Sequence, residues 1–248
     1  MVDLFLSAKQ KVARARELIV ALDSEIQAFN AIEPHERMVE TDPEGLVQEH
    51  TVKLTQPLPD SLAALTQEVA IALRAALDQA IFAASKAVGT RRLMDTSFPI
   101  AEDTEQLDKL MAEKCRGVPT EIAAMIRGFK PFKDGNELIW GLLAIASVEE
   151  YALIVPVGSV DSGLTFVNNK TAPRVRWDAK RREIELGSFP IHGKYQPHIK
   201  ILFSAAFGII EGLENCPVLP VLRAMTVEVE HILAVMETKT RHPGAAME

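Results

Sequence analysis

The chain has 248 residues, of which 48% are hydrophobic and 25% are charged, and this composition excludes a largely disordered protein. Its formal net charge of -7 at pH 7 argues against broad electrostatic capture of nucleic-acid phosphates, although it leaves room for a local basic patch. Aromatic residues make up only 6% of the chain, so the core has to be built mainly from Ala, Leu, Ile and Val.

The first third of the chain predicts two helices with a strand between them. Residues 3–32 carry apolar side chains at spacings of three and four, which is the pattern of a helix with one buried face. The prolines, acids and glycine of residues 33–45 predict a loop, and the alternation of apolar and polar residues over 49–56 predicts a half-buried strand. One long helix is predicted over Leu62–Val88, with Gly89 placed to end it.

This long helix determines the predicted architecture. An apolar stripe runs along it, and alanines occupy most of the remaining positions. Small side chains allow neighbouring helices to approach closely, so we expect the helix to be central and packed on several sides. Asp60 or Ser61 is expected to cap its N-terminus.

The rest of the chain predicts three more helices, then a region rich in strands, then a final helix of about Pro220–Lys239. Most of the predicted strands contain β-branched or alternating apolar residues. The other predicted segments are helices near Glu105–Cys115, Pro119–Arg127 and Glu137–Glu150, and strands near Leu153–Val157, Gly163–Asn168, Arg174–Trp177, Glu183–Leu186 and Ile199–Phe207.

The order of these elements predicts the fold class. Helices flank a sheet-forming region and do not alternate regularly with strands, which favours an α+β fold over a doubly wound α/β fold. We expect a helical bundle around one long central helix, packed with a small and mainly antiparallel sheet. Because no linker-like stretch divides the chain, we predict one domain over 1–248, helical over 1–150, rich in sheet over 151–208 and closed by a helix over 218–240.

Several kinds of functional site have no motif in this sequence. Cys115 and Cys216 form no CxxC pair, no two histidines have the i, i+4 spacing of a zinc-peptidase helix, and the glycine-rich nucleotide-binding motifs are absent. We therefore predict free thiols, no metal and no cofactor. The N-terminus lacks the pattern of a signal peptide and no apolar run is long enough to span a bilayer, so a cytoplasmic protein with no membrane partner is expected.

Several polar clusters each allow two interpretations. His192 and His198 flank either a small polar site or a solvated loop. The basic clusters Thr90–Arg92 and Lys180–Arg182 either contact phosphate or are solvated turns, so nucleic acid stays an alternative partner. The acids at 149–150 are either the solvated end of a helix or an acid–base pair.

Arg74 and Asp78 are unusual because they place charges in the middle of the long helix. They are four residues apart and share a face, which Gln67 and Ala70 extend without adding charge. In a central helix they would be partly buried, and burying an unpaired charge costs several kcal/mol. The two residues form a structural ion pair, a solvent-facing stripe or part of a functional site.

Four short segments follow one another through the chain: LRAALDQ at 73–79, FPI at 98–100, IASVEEYA at 145–152 and VPV at 155–157. They resemble segments of a family of uncharacterised, mostly bacterial proteins of similar length. Members of that family carry an LRxALDH-like segment on a long helix, then FPI, then an LDNxDKHR-like helix end that leads into a VPV-like strand.

The spacing of Arg and His in that family resembles the motif of HEPN domains, helical modules that often act as metal-independent ribonucleases and commonly as dimers. The resemblance implies that the Arg stabilises developing charge and that the His is the general base. In this chain Gln79 stands at the position of the motif histidine, and Tyr151 aligns with the second histidine of the family. Glutamine does not titrate near neutral pH, so Gln79 cannot replace that base.

The sequence therefore favours a non-catalytic intracellular binding or interaction protein on a degenerate HEPN-like scaffold, which pairs with itself as a homodimer through helical surfaces. The alternative is a divergent metal-independent ribonuclease with Arg74, Asp78 and Tyr151 as candidate catalytic residues. A further alternative is a small-ligand protein whose cavity lies between the long helix and the sheet.

Overall fold

A computed structural model describes residues 3–90, 96–148, 153–161, 176–190 and 200–241. Within these ranges the chain forms six helices and six strands, and the predicted α+β class is confirmed. None of the described helices is both long enough and apolar enough to cross a membrane. The helices are α1 (Leu6–Ala31), α2 (Ser61–Ala87), α3 (Thr104–Lys114), α4 (Thr120–Gly128), α5 (Glu137–Ser147) and α6 (Val218–Arg241), and the strands are β1 (His35–Thr41), β2 (Val47–Leu54), β3 (Ile154–Asp161), β4 (Arg176–Asp178), β5 (Glu183–Pro190) and β6 (Lys200–Phe207).

α2 lies at the centre of the helical part of the fold, as predicted. α1, α5 and α6 pack along it and α4 touches it. Leu73, Leu77 and Ile81 on its inner side are inaccessible to solvent. Gly89 follows the helix with a φ of +91°, a conformation that glycine adopts at little cost. The predicted capping is not observed, because the Asp60 side chain makes no capping hydrogen bond.

Ion pairs join α1 to α6 along an exposed seam. From one pair to the next, the residue number rises by seven on α1 and falls by seven on α6. The two helices are therefore antiparallel, and all three pairs fit the same alignment of one helix against the other. Each pair is too exposed to contribute much stability alone, but a slipped register would separate opposite charges. The pairs are Lys9–Glu237 at 2.8 Å, Arg16–Glu230 at 2.7 Å and Asp23–Arg223 at 2.9 Å.

The described strands form two antiparallel sheets. One has the order β1-β2-β5-β4 and the other pairs β3 with β6. Val52 of β2 lies opposite Ile184 of β5, and both are fully buried on the inner face of the larger sheet. β4 and β5 form a hairpin and correspond to the strands predicted near Arg174–Trp177 and Glu183–Leu186, whereas the predicted strand Gly163–Asn168 lies outside the described residues.

β1 occupies part of the segment predicted as a loop, and that prediction is wrong. Its seven residues all pair with β2, yet its side chains are exposed or half-buried, so no apolar alternation marks it as a strand. Its position at the edge of the larger sheet explains this composition, since an edge strand is held by the hydrogen bonds of one neighbour and needs little apolar surface.

Gly158 of β3 lies where the two sheets meet. A Cβ atom at this position would be 2.6 Å from Ile184 Cδ1 and 2.8 Å from Trp177 Cε3. Ile184 is fully buried, so it cannot turn away into solvent. We expect Gly158→Ala to lower the free energy of unfolding, measured by urea denaturation, by about 1–3 kcal/mol through overpacking.

Gly128 provides the matched control for this substitution. It is the last residue of α4, and a Cβ there would meet no atom within 4 Å. Gly128→Ala should therefore leave the free energy of unfolding unchanged or slightly raised. Equal losses in the two variants would contradict the close contact between the sheets.

Candidate functional site

Arg74 and Asp78 lie at the border between the buried and the exposed side of α2. Both side chains are half-buried, and Gln79 beside them is exposed. Among the described residues, no direct ion pair joins Arg74 to Asp78, and the Arg74 guanidinium has no hydrogen-bond partner. Arg74 acts on Asp78 only through its longer-range charge, so the predicted structural ion pair is not formed as a direct contact.

Asp78 holds the FPI segment against α2. Its Oδ1 atom accepts a hydrogen bond from the backbone N–H of Phe98 at 2.6 Å. Burial raises the pKa of the Asp78 carboxyl above its ordinary value, against the lowering effects of this hydrogen bond and of the positive charges on Arg74 and Lys114. The carboxyl is thus already engaged in positioning Phe98, whose side chain is fully buried.

Gln67 has a comparable role at the other end of the same helix face. Its Nε2 atom donates to the carbonyl oxygen of Val148 at 3.3 Å and lies 3.5 Å from that of Ala146. Carbonyls at the end of a helix have no partner within the helix, so the Gln67 amide satisfies the end of α5. The sequence placed Gln67 on this face but contained no signal for its partner.

Through these two contacts, α2 brings the FPI segment and the end of α5 to either side of Arg74. Tyr151, the third candidate residue, lies outside the described residues. The same is true of the acids at 149–150, of Arg91 and Arg92, and of the histidines at 192 and 198.

The basic cluster Lys180–Arg182 forms an exposed turn between β4 and β5. The Asp178 Oδ1 atom accepts hydrogen bonds from the backbone N–H groups of Lys180, at 2.8 Å, and Arg181, at 3.1 Å. The bond from Arg181 is the main reason that the pKa of Asp178 lies below its ordinary value. This geometry is that of an ordinary solvated turn.

The cysteines are free thiols, as predicted. Cys115 is buried, and its burial raises the pKa of the thiol to about 11. A thiol with this pKa stays protonated at neutral pH and is a poor nucleophile. Among the described residues, no group of three or more His, Cys, Asp or Glu side chains is arranged to bind a metal ion.

The exposed side of α2 carries an apolar surface formed by Ile71, Ala75 and Phe82, which we call the α2 stripe. Ile71 is 53% exposed and Phe82 is 47% exposed, and the half-buried Ala75 lies between them. Glu68 precedes the stripe and Lys86 follows it on the same side of the helix. The spacing of Ile71, Ala75 and Phe82 can be read from the sequence. That this side of α2 is the exposed one is known only from the structure, which shows that the opposite side is buried.

The concavities lined wholly by described residues include three that contain no residue of α2. The first, of about 750 Å³, lies between α1, β1 and β6. The second, of about 560 Å³, lies on the outward face of the larger sheet, and the third, of about 340 Å³, lies between α1 and α6. The cavity predicted between the long helix and the sheet is not among these three.

Comparison of the chain with protein-family models, with curated proteins and with solved structures gives no match. The family resemblance therefore stays a prediction from the short segments alone. A functional assignment therefore has to come from the geometry of the chain.

Proposed function

We propose that this protein is a non-catalytic intracellular interaction protein on a degenerate HEPN-like scaffold, and that it forms a homodimer through the α2 stripe. The observation that carries the proposal is the exposure of Ile71 and Phe82 on a helix whose other faces are packed. Exposed apolar surface of this kind is typical of a binding surface.

The α2 stripe is complementary to itself. If two copies of α2 pack antiparallel about a two-fold axis near residue 77, Ile71 of one copy faces Phe82 of the other, and Glu68 faces Lys86. Each opposite-charge contact occurs twice in such a pair. Ala75 lies near the axis, where a small side chain allows the helices to approach closely.

The two residues at the motif position of α2, Asp78 and Gln79, are poor general bases, and this supports a non-catalytic role. Gln79 cannot titrate near neutral pH, and Asp78 already binds the backbone of Phe98. Although burial raises the pKa of Asp78, its Oδ1 atom is already used to hold the backbone of Phe98 in place.

Phe82→Glu should convert the dimer to a monomer. Glutamate would place a charge in the apolar contact and next to Glu68 of the other copy. An interface formed by one helix from each copy is expected to associate only moderately tightly, so the measurement is made at about 50 μM. At this concentration we expect sedimentation velocity to show a dimer for the wild type and a monomer for the variant.

Val227→Glu is the matched control, since Val227 is 64% exposed on α6 and lies outside the α2 stripe. It should sediment as the wild type does. A monomeric wild type, or loss of the dimer in both variants, would contradict the proposed interface.

The alternative function is a divergent metal-independent ribonuclease. The observation that favours it is the Arg74 guanidinium, which has no hydrogen-bond or ion-pair partner among the described residues and lies between the FPI segment and the end of α5. Such a group is available to bind phosphate.

Incubation of the purified protein with mixed RNA in the presence of a metal chelator separates the two functions. The non-catalytic proposal expects no cleavage. Cleavage that Arg74→Ala abolishes and Arg16→Ala preserves would establish the ribonuclease instead. Arg16 is the control because it is an exposed arginine on a different helix, α1.

A further inference from the structure

His35, the first residue of β1, connects the edge of the larger sheet to the smaller sheet. Its ring lies against the ring of Phe203 on β6, with a distance of 5.7 Å between the ring centroids and an angle of 45° between the ring planes. Phe203 is fully buried, and the Asn30 side chain donates to its carbonyl oxygen at 2.8 Å and accepts from its N–H at 2.7 Å. The His35 ring therefore packs against a buried residue whose backbone is held in place.

The side chain of His35 is the main attachment of β1 to the interior. Only His35 and Met38 are half-buried in this strand, and its other residues are exposed. Met38 is three residues further along, so its side chain lies on the opposite face, where it lines the concavity on the outward face of the larger sheet. β1 is also an edge strand, and β2 is its single neighbour among the described strands. On the inner face, β1 consequently depends on the contact between His35 and Phe203.

The position of the His35 imidazole suits its neutral form and not its charged form. Its Nδ1 atom is buried and has no hydrogen-bond partner. In the imidazolium ion both ring nitrogens are donors, so Nδ1 would carry a charged N–H group without an acceptor. An unpaired buried donor is costly, and the cost is larger when the group is charged.

The charged groups that surround His35 do not offset this cost. Among the described residues that line the concavity beside it, these are Glu33 after α1, Arg37 on β1 and Lys200 on β6, while Leu54, opposite on β2, is apolar. Burial is the main reason that the pKa of His35 lies below its ordinary value of 6.5. The charge on Glu33 raises this pKa and the charge on Arg37 lowers it, so the single acid does not outweigh burial.

We propose that His35 is a pH switch for β1, in which protonation of the imidazole moves the ring out to solvent and releases β1 from the larger sheet. At neutral pH the ring is uncharged and stays packed against Phe203. As the pH falls below 6.5, the released state binds a proton more readily than the packed state does. The stability that His35 provides is therefore complete above pH 6.5 and is lost progressively as the pH falls through the folded-state pKa.

The Met38 amide reports whether β1 is paired with β2. The N–H of Thr55 donates to the carbonyl oxygen of Pro34 at 2.9 Å, and the N–H of Asp42 donates to that of Val47 at 3.0 Å. In an antiparallel pair, residues two apart on a strand point the same way, so the even-numbered residues of β1 bond to β2 and Met38 is among them. Hydrogen exchange of this amide, corrected for its intrinsic rate at each pH, gives a protection factor that depends on the release of β1.

The protection factor of the wild-type Met38 amide should fall at least about fivefold between about pH 7.5 and about pH 5. His35→Phe and His35→Gln cannot be protonated there, so their protection factors should stay constant within about twofold. Phe keeps a ring beside Phe203 and Gln is smaller than His, so the comparison remains if one of the two variants does not fold. The matched control His231→Phe changes an exposed histidine of α6 and should behave as the wild type does.

Three results would overturn the proposal. They are a wild-type protection factor that does not change with pH, an equal fall in the His35 variants, and a parallel fall at the buried Leu73 of α2, which would indicate unfolding of the whole chain. The switch and the α2 stripe share no residue. Phe82→Glu should therefore show the pH dependence of the wild type, and failure of the dimer does not affect this result.

Discussion

Phe98→Ala is expected to lower the free energy of unfolding by about 3–5 kcal/mol. Phe98 is among the largest side chains that are fully buried, and it packs in the main core formed around α2. Removing the ring loses the stabilisation that its burial provides, and it leaves a cavity that the surrounding side chains fill only in part. Urea denaturation followed by circular dichroism measures the change.

Phe82→Ala makes the same chemical change at a residue that is 47% exposed. Measured under dilute conditions, where any dimer is dissociated, it should cost less than about 0.5 kcal/mol. A small effect of Phe98→Ala, or similar effects of the two substitutions, would show that the FPI segment does not form part of the core.

Asp78→Ala is expected to have the second largest effect, a loss of about 2 kcal/mol. The substitution removes the acceptor of the Phe98 N–H group, which is left without a partner in a partly buried place. Asp78→Asn keeps an oxygen at the same position and should cost much less. Urea denaturation at neutral pH distinguishes the variants, and equal losses would mean that the hydrogen bond contributes little.

The pH dependence of stability tests the environment of the same carboxyl. Burial raises the pKa of Asp78 in the folded state above the ordinary value of 3.8, so the folded state binds this proton more tightly than the unfolded state does. The resulting stability is complete below pH 3.8 and is lost as the pH rises through the folded-state pKa.

The wild type should therefore gain stability relative to Asp78→Asn as the pH falls from neutrality towards 3.8, because the asparagine variant has no such proton to bind. The comparison between the two proteins removes the contributions of other carboxyls. A difference that stays constant with pH, or that favours the wild type more as the pH rises, would contradict the raised pKa.

The candidate site was only partly predictable. Arg74 and Asp78 were placed on one helical face by their spacing of four residues, and they share that face in the structure. The partner of Asp78 was not predictable, because Phe98 lies 20 residues further along the chain. Gln67 likewise meets the end of α5 about 80 residues away, at a distance no local pattern reports.

The strands were also only partly predictable from the sequence. The alternation around Val52 and Leu54 predicted β2, and both residues are buried. β1 has no such alternation, and only its pairing with β2 makes it a strand. A strand with one apolar face can be recognised from its own residues, whereas a polar edge strand depends on its neighbour.

By itself, the sequence determined the α+β class, the central position of α2 and the presence of the final helix, because apolar periodicity reflects the burial of each element separately. The tertiary structure alone decided the register of α1 against α6, the anchoring of the FPI segment by Asp78 and the contact of Asn30 with the backbone of Phe203. Each of these features joins residues that are distant in the chain. Local spacing records which face of an element is buried and carries no information about what that face meets.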